Sequence, residues 1–126
     1  MDEIYVFNPN IYPRMLWVAI GVSEEELKHT FYDVRIIPPD KRGSVQKVQR
    51  RIGRDLGYLV QYHCAEDMDA ETITHESEHV ASEIFNDIGA ERDKGKNNEP
   101  FAYLCGWIAK CMDEVKQIEL SNISNK

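Results

Sequence analysis

Two histidines four residues apart, His75 and His79, with Glu76 directly after the first, are the residues of this chain best suited to chemistry. Residues four apart lie on one face of a helix about one turn apart, so two imidazoles there can reach a single small cation. Glu76 points to a neighbouring part of that face. From there its carboxylate can take a proton from a water polarised by the cation without itself ligating it. The pattern H-E-x-x-H on a helix therefore points to zinc with a general base beside it.

That reading needs a helix, and the flanking residues supply one. Asp69 is a good N-cap, Glu71 suits the first turn and Gly89 is a good C-terminal stop, which bounds a helix over residues 70–88. At about 100° per residue, Ile73, Val80, Ala81, Ile84, Phe85 and Ile88 share one broad arc that should face the core. His75 and His79 fall nearly opposite. A catalytic zinc takes three protein ligands and keeps one position open, so a third ligand must come from elsewhere. Glu99 is the leading candidate, at the head of a second helical stretch beyond the turn Gly89-Ala90 and a charged loop over residues 91–96. Its ordinary role would be a carboxylate favoured by the helix dipole. Glu83 competes locally, one turn past His79. Strung along one helix, however, His75, His79 and Glu83 span about 12 Å of rise, so Glu83 is expected to face away from the metal. Tyr103, four residues beyond Glu99, shares its face and either packs or donates a hydrogen bond to a developing oxyanion.

The run His75-Glu76-Ser77-Glu78-His79 followed at this distance by Glu99 resembles the gluzincin branch of the zincin metallopeptidases, over residues 57–113. The resemblance implies His75 and His79 as ligands, Glu76 as general base and acid, and Glu99 as third ligand. It also implies that the strand-like residues 57–64 form the upper rim of a cleft and pair with an extended peptide. The whole chain is similar to short zincin-like proteins of bacteria and their phages, in which T-x-x-H-E-x-x-H precedes an E-P-F-A-Y-L stretch. It departs from most gluzincin proteases in being far shorter and in having no recognisable substrate-binding domain.

With 126 residues and 42% apolar content, the chain suits one domain over residues 1–118, followed by a mostly polar tail, 119–126, that should fray. A net charge of −7 argues against a general nucleic-acid binder. Lys41, Arg42, Lys47, Arg50, Arg51 and Arg54 nevertheless gather in a short span, as a solvated face or a site for an acidic partner. The absence of a leader-like start and of a spanning apolar run suggests a cytoplasmic protein without membrane contact. Cys64, Cys105 and Cys111 form no C-x-x-C pair and read as reduced, mostly buried thiols.

Residues 3–7 and 15–20 read as strands, the second more buried. Ser23 and Glu26 form a capping box for a short helix reaching about Tyr32, and residues 34–37 suit a short strand. The breaker cluster over residues 38–43 reads as a loop. Residues 44–52 lean to helix, with a hairpin arm as the alternative. His29 and His63 read as structural or surface residues. Pro100 opens a last helix whose Phe101, Leu104, Cys105, Ile108, Met112 and Val115 recur at helical spacing.

Together these readings predict an α+β fold: a small mixed sheet of three to five strands, a central H-E-x-x-H helix and a C-terminal helix crossing it, zincin-like. They favour a zinc-dependent hydrolase acting on a peptide or related carbonyl. The rival is a non-catalytic zincin-like accessory protein that binds a protein or acidic partner.

Overall fold

The computed structural model describes residues 3–91 and 98–124. Two apolar runs form its centre, β2 (Met15–Ile20) and β5 (Leu56–Tyr62), paired in parallel with Trp17 opposite Leu59 and Val18 opposite Val60. Outside them lie β1 (Ile4–Phe7), antiparallel to β2, and β4 (Gly43–Arg50), antiparallel to β5. The two-residue β3 (Phe31–Tyr32) pairs with Arg50 and Gln49 at the end of β4. The order β1-β2-β5-β4-β3 makes a five-stranded mixed sheet, within the expected fold class.

Strand alternation divides the core in two. Leu16, Val18, Tyr58, Val60 and Tyr62 face the long helices, while Trp17, Ala19, Val48 and Leu59 face Leu27, Phe31 and Val34 on the other side. Leu27 belongs to α1 (Glu24–Thr30), capped by the Ser23 hydroxyl, which accepts from the Glu26 amide. Because both faces of β2 and β5 are covered, these strands read as continuous apolar runs rather than alternating ones.

The motif helix, α2 (Ala70–Ile88), has the predicted bounds. Asp69 accepts from the Thr72 amide at 2.9 Å, and Gly89 closes the helix in the left-handed region at φ 75°. After the reversal, α3 (Glu99–Ser124) runs back along α2. Phe101 meets Phe85 near the end of α2, at 5.3 Å between ring centroids. Near its start, the Tyr62 hydroxyl reaches both the Thr72 carbonyl and Met112 Sδ at 3.4 Å. At the same time α3 covers β1, with Trp107 edge-on to Phe7 and the Tyr5 hydroxyl donating to Glu119 at 2.7 Å. α2 instead covers β5 and β4, where Tyr58 and Lys47 both reach Asp87. The two helices thus lie side by side, and α2 separates α3 from the β4 edge.

Five local expectations change. Residues 44–52 are not helical: the hairpin arm is the correct alternative. Val45 and Lys47 face α2 while Gln46 and Val48 are buried on the opposite face, a two-sided pattern that pairing with β5 satisfies and a helical arc does not. α1 stops at Thr30 because Phe31 adopts extended backbone (φ −122°, ψ 151°) and joins β4. Residues 34–37 do not form a strand, and glutamine side chains hold them instead. The last helix passes its expected end at Ile118, with Glu119 tied to Tyr5. Cys111 is buried and Cys105 half-buried, but Cys64 is exposed, so burial of the thiols is only partial. The charged residues 92–96 lie outside the described residues. Among the described residues, no helix is long and apolar enough to cross a membrane.

Candidate metal centre

The periodicity that buries Ile73, Val80, Ala81 and Ile84 turns His75 and His79 outward on α2, where both are exposed. Their Nε2 atoms face each other at 3.1 Å, with the rings at 75° and 4.6 Å between centroids. Two imidazoles on one tetrahedral zinc, with bonds of about 2.0–2.1 Å, would hold their nitrogens about 3.3 Å apart. Ligand atoms of His75, Glu76 and His79 all lie within 4.8 Å of one another, the one such group of three among the described residues.

Glu76 differs from the histidines in being only 6% exposed. Burial raises its carboxyl above the usual carboxylate range, against the opposing pull of His75, His79 and Lys41. A carboxyl raised in this way holds a proton more readily than an exposed one, as a group that takes a proton from water must. Its room comes from Gly43, the first residue of β4. A Cβ at that position would stand 2.7 Å from Glu76 Oε2, 3.2 Å from its Cγ and 3.0 Å from Tyr62 Cε1. Burial also raises the Tyr62 phenol, so it stays protonated over the pH range in which Glu76 would act.

A cleft of about 610 Å³ opens between α2 and β4. His75, Glu76, His79 and Glu83 line one side, and Arg35, Lys41 and Lys47 are among the residues lining it from β4 and the segment before it. β4 follows the direction of α2: Gly43 lies beside Glu76, and Lys47 bonds Asp87 at 2.8 Å. Asp87 is also held by Arg14 at 2.6 Å and by the Tyr58 hydroxyl at 3.0 Å. These partners keep its carboxyl well below the usual carboxylate range, Arg14 first and then Lys47.

Of the residues predicted from sequence, the fold brings together His75, Glu76 and His79. Glu99 is exposed at the first position of α3, does not line the cleft and does not join them. The physical reason lies in Phe101, Leu104 and Ile108, which draw α3 onto the sheet beside α2. Tyr103 follows it. Its side lines a separate apolar groove with Tyr12, Pro100 and Trp107 rather than the cleft. Glu83, expected to face away, lines the cleft, since it lies one turn on from His79 along the same face. His63 stands apart from the group, its Nε2 3.0 Å from the Pro38 carbonyl.

The strand expected to form the rim also changes. β5 is flanked on both sides by β2 and β4, so its backbone groups are taken up in the sheet. β4 borders the cleft instead, and its outer edge over residues 43–48 pairs with no strand among the described residues. Gly43 was missed because it closes the breaker cluster and reads as loop. A glycine entering a strand can instead mark a close approach, and this one does.

Comparison with protein-family models, with curated proteins and with solved structures found no match. The resemblance to zincins accordingly rests on the motif residues.

Proposed function

We propose that the cleft is the active site of a metal-dependent hydrolase, with zinc the best-suited ion and an amide or related carbonyl as its target. The observation that carries this reading is the pair of Nε2 atoms at 3.1 Å with the Glu76 carboxylate in the same group. His75 and His79 would hold the ion. When bound, it supplies a Lewis acid and makes water easier to deprotonate. Glu76 takes a proton from the attacking water as the C–O bond forms. It returns that proton to the leaving nitrogen as the C–N bond breaks, leaving a carboxylic acid and an amine. Burial of Glu76 supports this role because it raises the carboxyl and so makes it a better proton acceptor than an exposed one. The unpaired outer edge of β4 lies where an extended substrate would pass.

Elemental analysis and zinc titration of the purified chain test the reading. Close to one zinc per chain is expected, lost in His75→Ala and in His79→Ala and retained in Glu76→Gln. Stoichiometric zinc in a His75→Ala, His79→Ala double variant would sink it. Hydrolysis of a peptide library should disappear in Glu76→Gln with the zinc still in place.

A further inference from the structure

Three cations, Arg35, Lys41 and Lys47, line the cleft that also holds His75, Glu76, His79 and Glu83. Lys47 is engaged by Asp87. Arg35 and Lys41 line the same cleft, and neither side chain has an ion-pair partner among the described residues. Elsewhere Arg14, Arg42 and Arg50 are matched with Asp87, Asp69 and Asp55. Arg51, Arg54, Lys110 and Lys116 also lack an ion-pair partner among the described residues, so what sets Arg35 and Lys41 apart is their place in the cleft with Glu76 and Glu83.

Arg35 is also held with unusual care for a residue outside regular structure. Two buried glutamines grip its backbone. The Arg35 carbonyl accepts from Gln46 Nε2 at 2.6 Å and Gln61 Nε2 at 2.9 Å, while its amide donates to Gln46 Oε1 at 3.0 Å. Gln61 Oε1 accepts from the Ile37 amide at 3.3 Å. Gln46 and Gln61 are 8% and 2% exposed. Burying two amides is costly without partners, and their partners here are the main chain that carries Arg35 and the residues after it. Lys41 is anchored too: its amide donates to the Pro38 carbonyl at 3.1 Å, the same oxygen that His63 approaches. Both cations therefore stand on fixed backbone, which sets where their exposed side chains start while leaving those side chains to be ordered by the ligand.

We propose that the cleft selects a peptide bearing carboxylate groups, with Arg35 and Lys41 as the residues that bind them. The proposal rests on the cleft being the hydrolytic site and adds the class of its substrate. A guanidinium fork matches a carboxylate with two parallel hydrogen bonds, and Lys41 adds a point charge nearer Glu76. A continuous phosphate backbone fits less well than one or two discrete carboxylates, since Arg35 and Lys41 are the cleft's two cations without an ion pair and the chain carries a net charge of −7.

The test is fluorescence polarisation with the full chain and three rhodamine-labelled peptides, Ala-Glu-Ala-Glu-Ala and its glutamine and lysine counterparts. Each is titrated once in EDTA and once with zinc on Glu76→Gln, so that the peptide is not consumed. The glutamate peptide should bind about tenfold more tightly than the glutamine one, and the preference should shrink as salt is raised. Arg35→Gln and Lys41→Gln change only exposed side chains, leaving the glutamine clamp intact. Each should lose most of the preference, with zinc stoichiometry unchanged. Equal affinity for the glutamate and glutamine peptides overturns the proposal, as does no measurable binding of any peptide, or a preference that survives the double variant. Acidic preference in a chain that never binds zinc would remove the metal reading and keep this one. Zinc held by the histidines without acidic preference would do the reverse.

Discussion

Substituting Gly43 by alanine probes the closest approach in the cleft. Its backbone is ordinary strand, so alanine should gain about 0.5–1 kcal/mol from reduced freedom in the unfolded chain. Against that, the new methyl would sit 2.7 Å from Glu76 Oε2 and 3.0 Å from Tyr62 Cε1. Overpacking of this kind costs roughly 1–3 kcal/mol. The net expectation is a loss of about 0–2.5 kcal/mol. Tyr62 is 1% exposed and hydrogen-bonded, so the carboxylate is the group that must move. A double-mutant cycle isolates that contact. In Glu76→Ala the contacts at 2.7 and 3.2 Å disappear and only the tyrosine carbon remains. Gly43→Ala should therefore cost at least about 1 kcal/mol less in that background than in the parent. Urea denaturation of the four proteins, in EDTA to exclude metal effects, measures the coupling. Equal costs in both backgrounds, within about 0.5 kcal/mol, would show that Gly43 does not make room for Glu76 and refute the reasoning.

Asp87→Asn should cost about 1.5–3 kcal/mol at neutral pH, because the folded carboxylate is bonded by Arg14, Lys47 and Tyr58. Since its folded pKa is depressed, the contribution is present above the ordinary carboxylate value and is lost as pH falls toward the folded one. A pH series of denaturation midpoints should thus be flatter on the acid side for the variant. Gln61→Leu keeps the volume but removes the partner of the Ile37 amide. It should cost about 1–3 kcal/mol and speed hydrogen exchange at that amide, and an unchanged exchange rate would count against the clamp. Glu99→Ala should leave zinc affinity within a few-fold. A drop of a hundredfold would mean that the head of α3 crosses to the histidines.

How far the sequence revealed the site depended on whether the signal was local. The arc from Ile73 to Phe85 lies within a nineteen-residue helix, the caps Asp69 and Gly89 directly flank it, and α2 formed as read. The positions of Glu99 and Tyr103 depended on which side of α2 the chain would return, and the residues 92–97 that connect them carry no pattern that decides it. The choice follows from burial of Phe101, Leu104 and Ile108 against a sheet whose order could not be read locally. β4 was hidden for a similar reason. Val45, Val48 and Ile52 fit helical spacing by coincidence, and only pairing with β5 shows that Gln46 is an interior residue. Gln46 and Gln61 look like surface residues until the segment they hold is in view.

Asp87 sits one residue from the end of α2 and joins that end to Arg14 before β2, Lys47 on β4 and Tyr58 on β5. The opposite end of the helix is tied across the cleft by Arg42 to Asp69 and Asp67, with Arg42 half-exposed. Exposed pairs contribute little, whereas the Asp87 cluster is largely sheltered. The Asp87 end of the cleft is therefore closed by side-chain bonds from three separate stretches of chain, and the end beside Gly43 and Glu76 is the less heavily tied of the two.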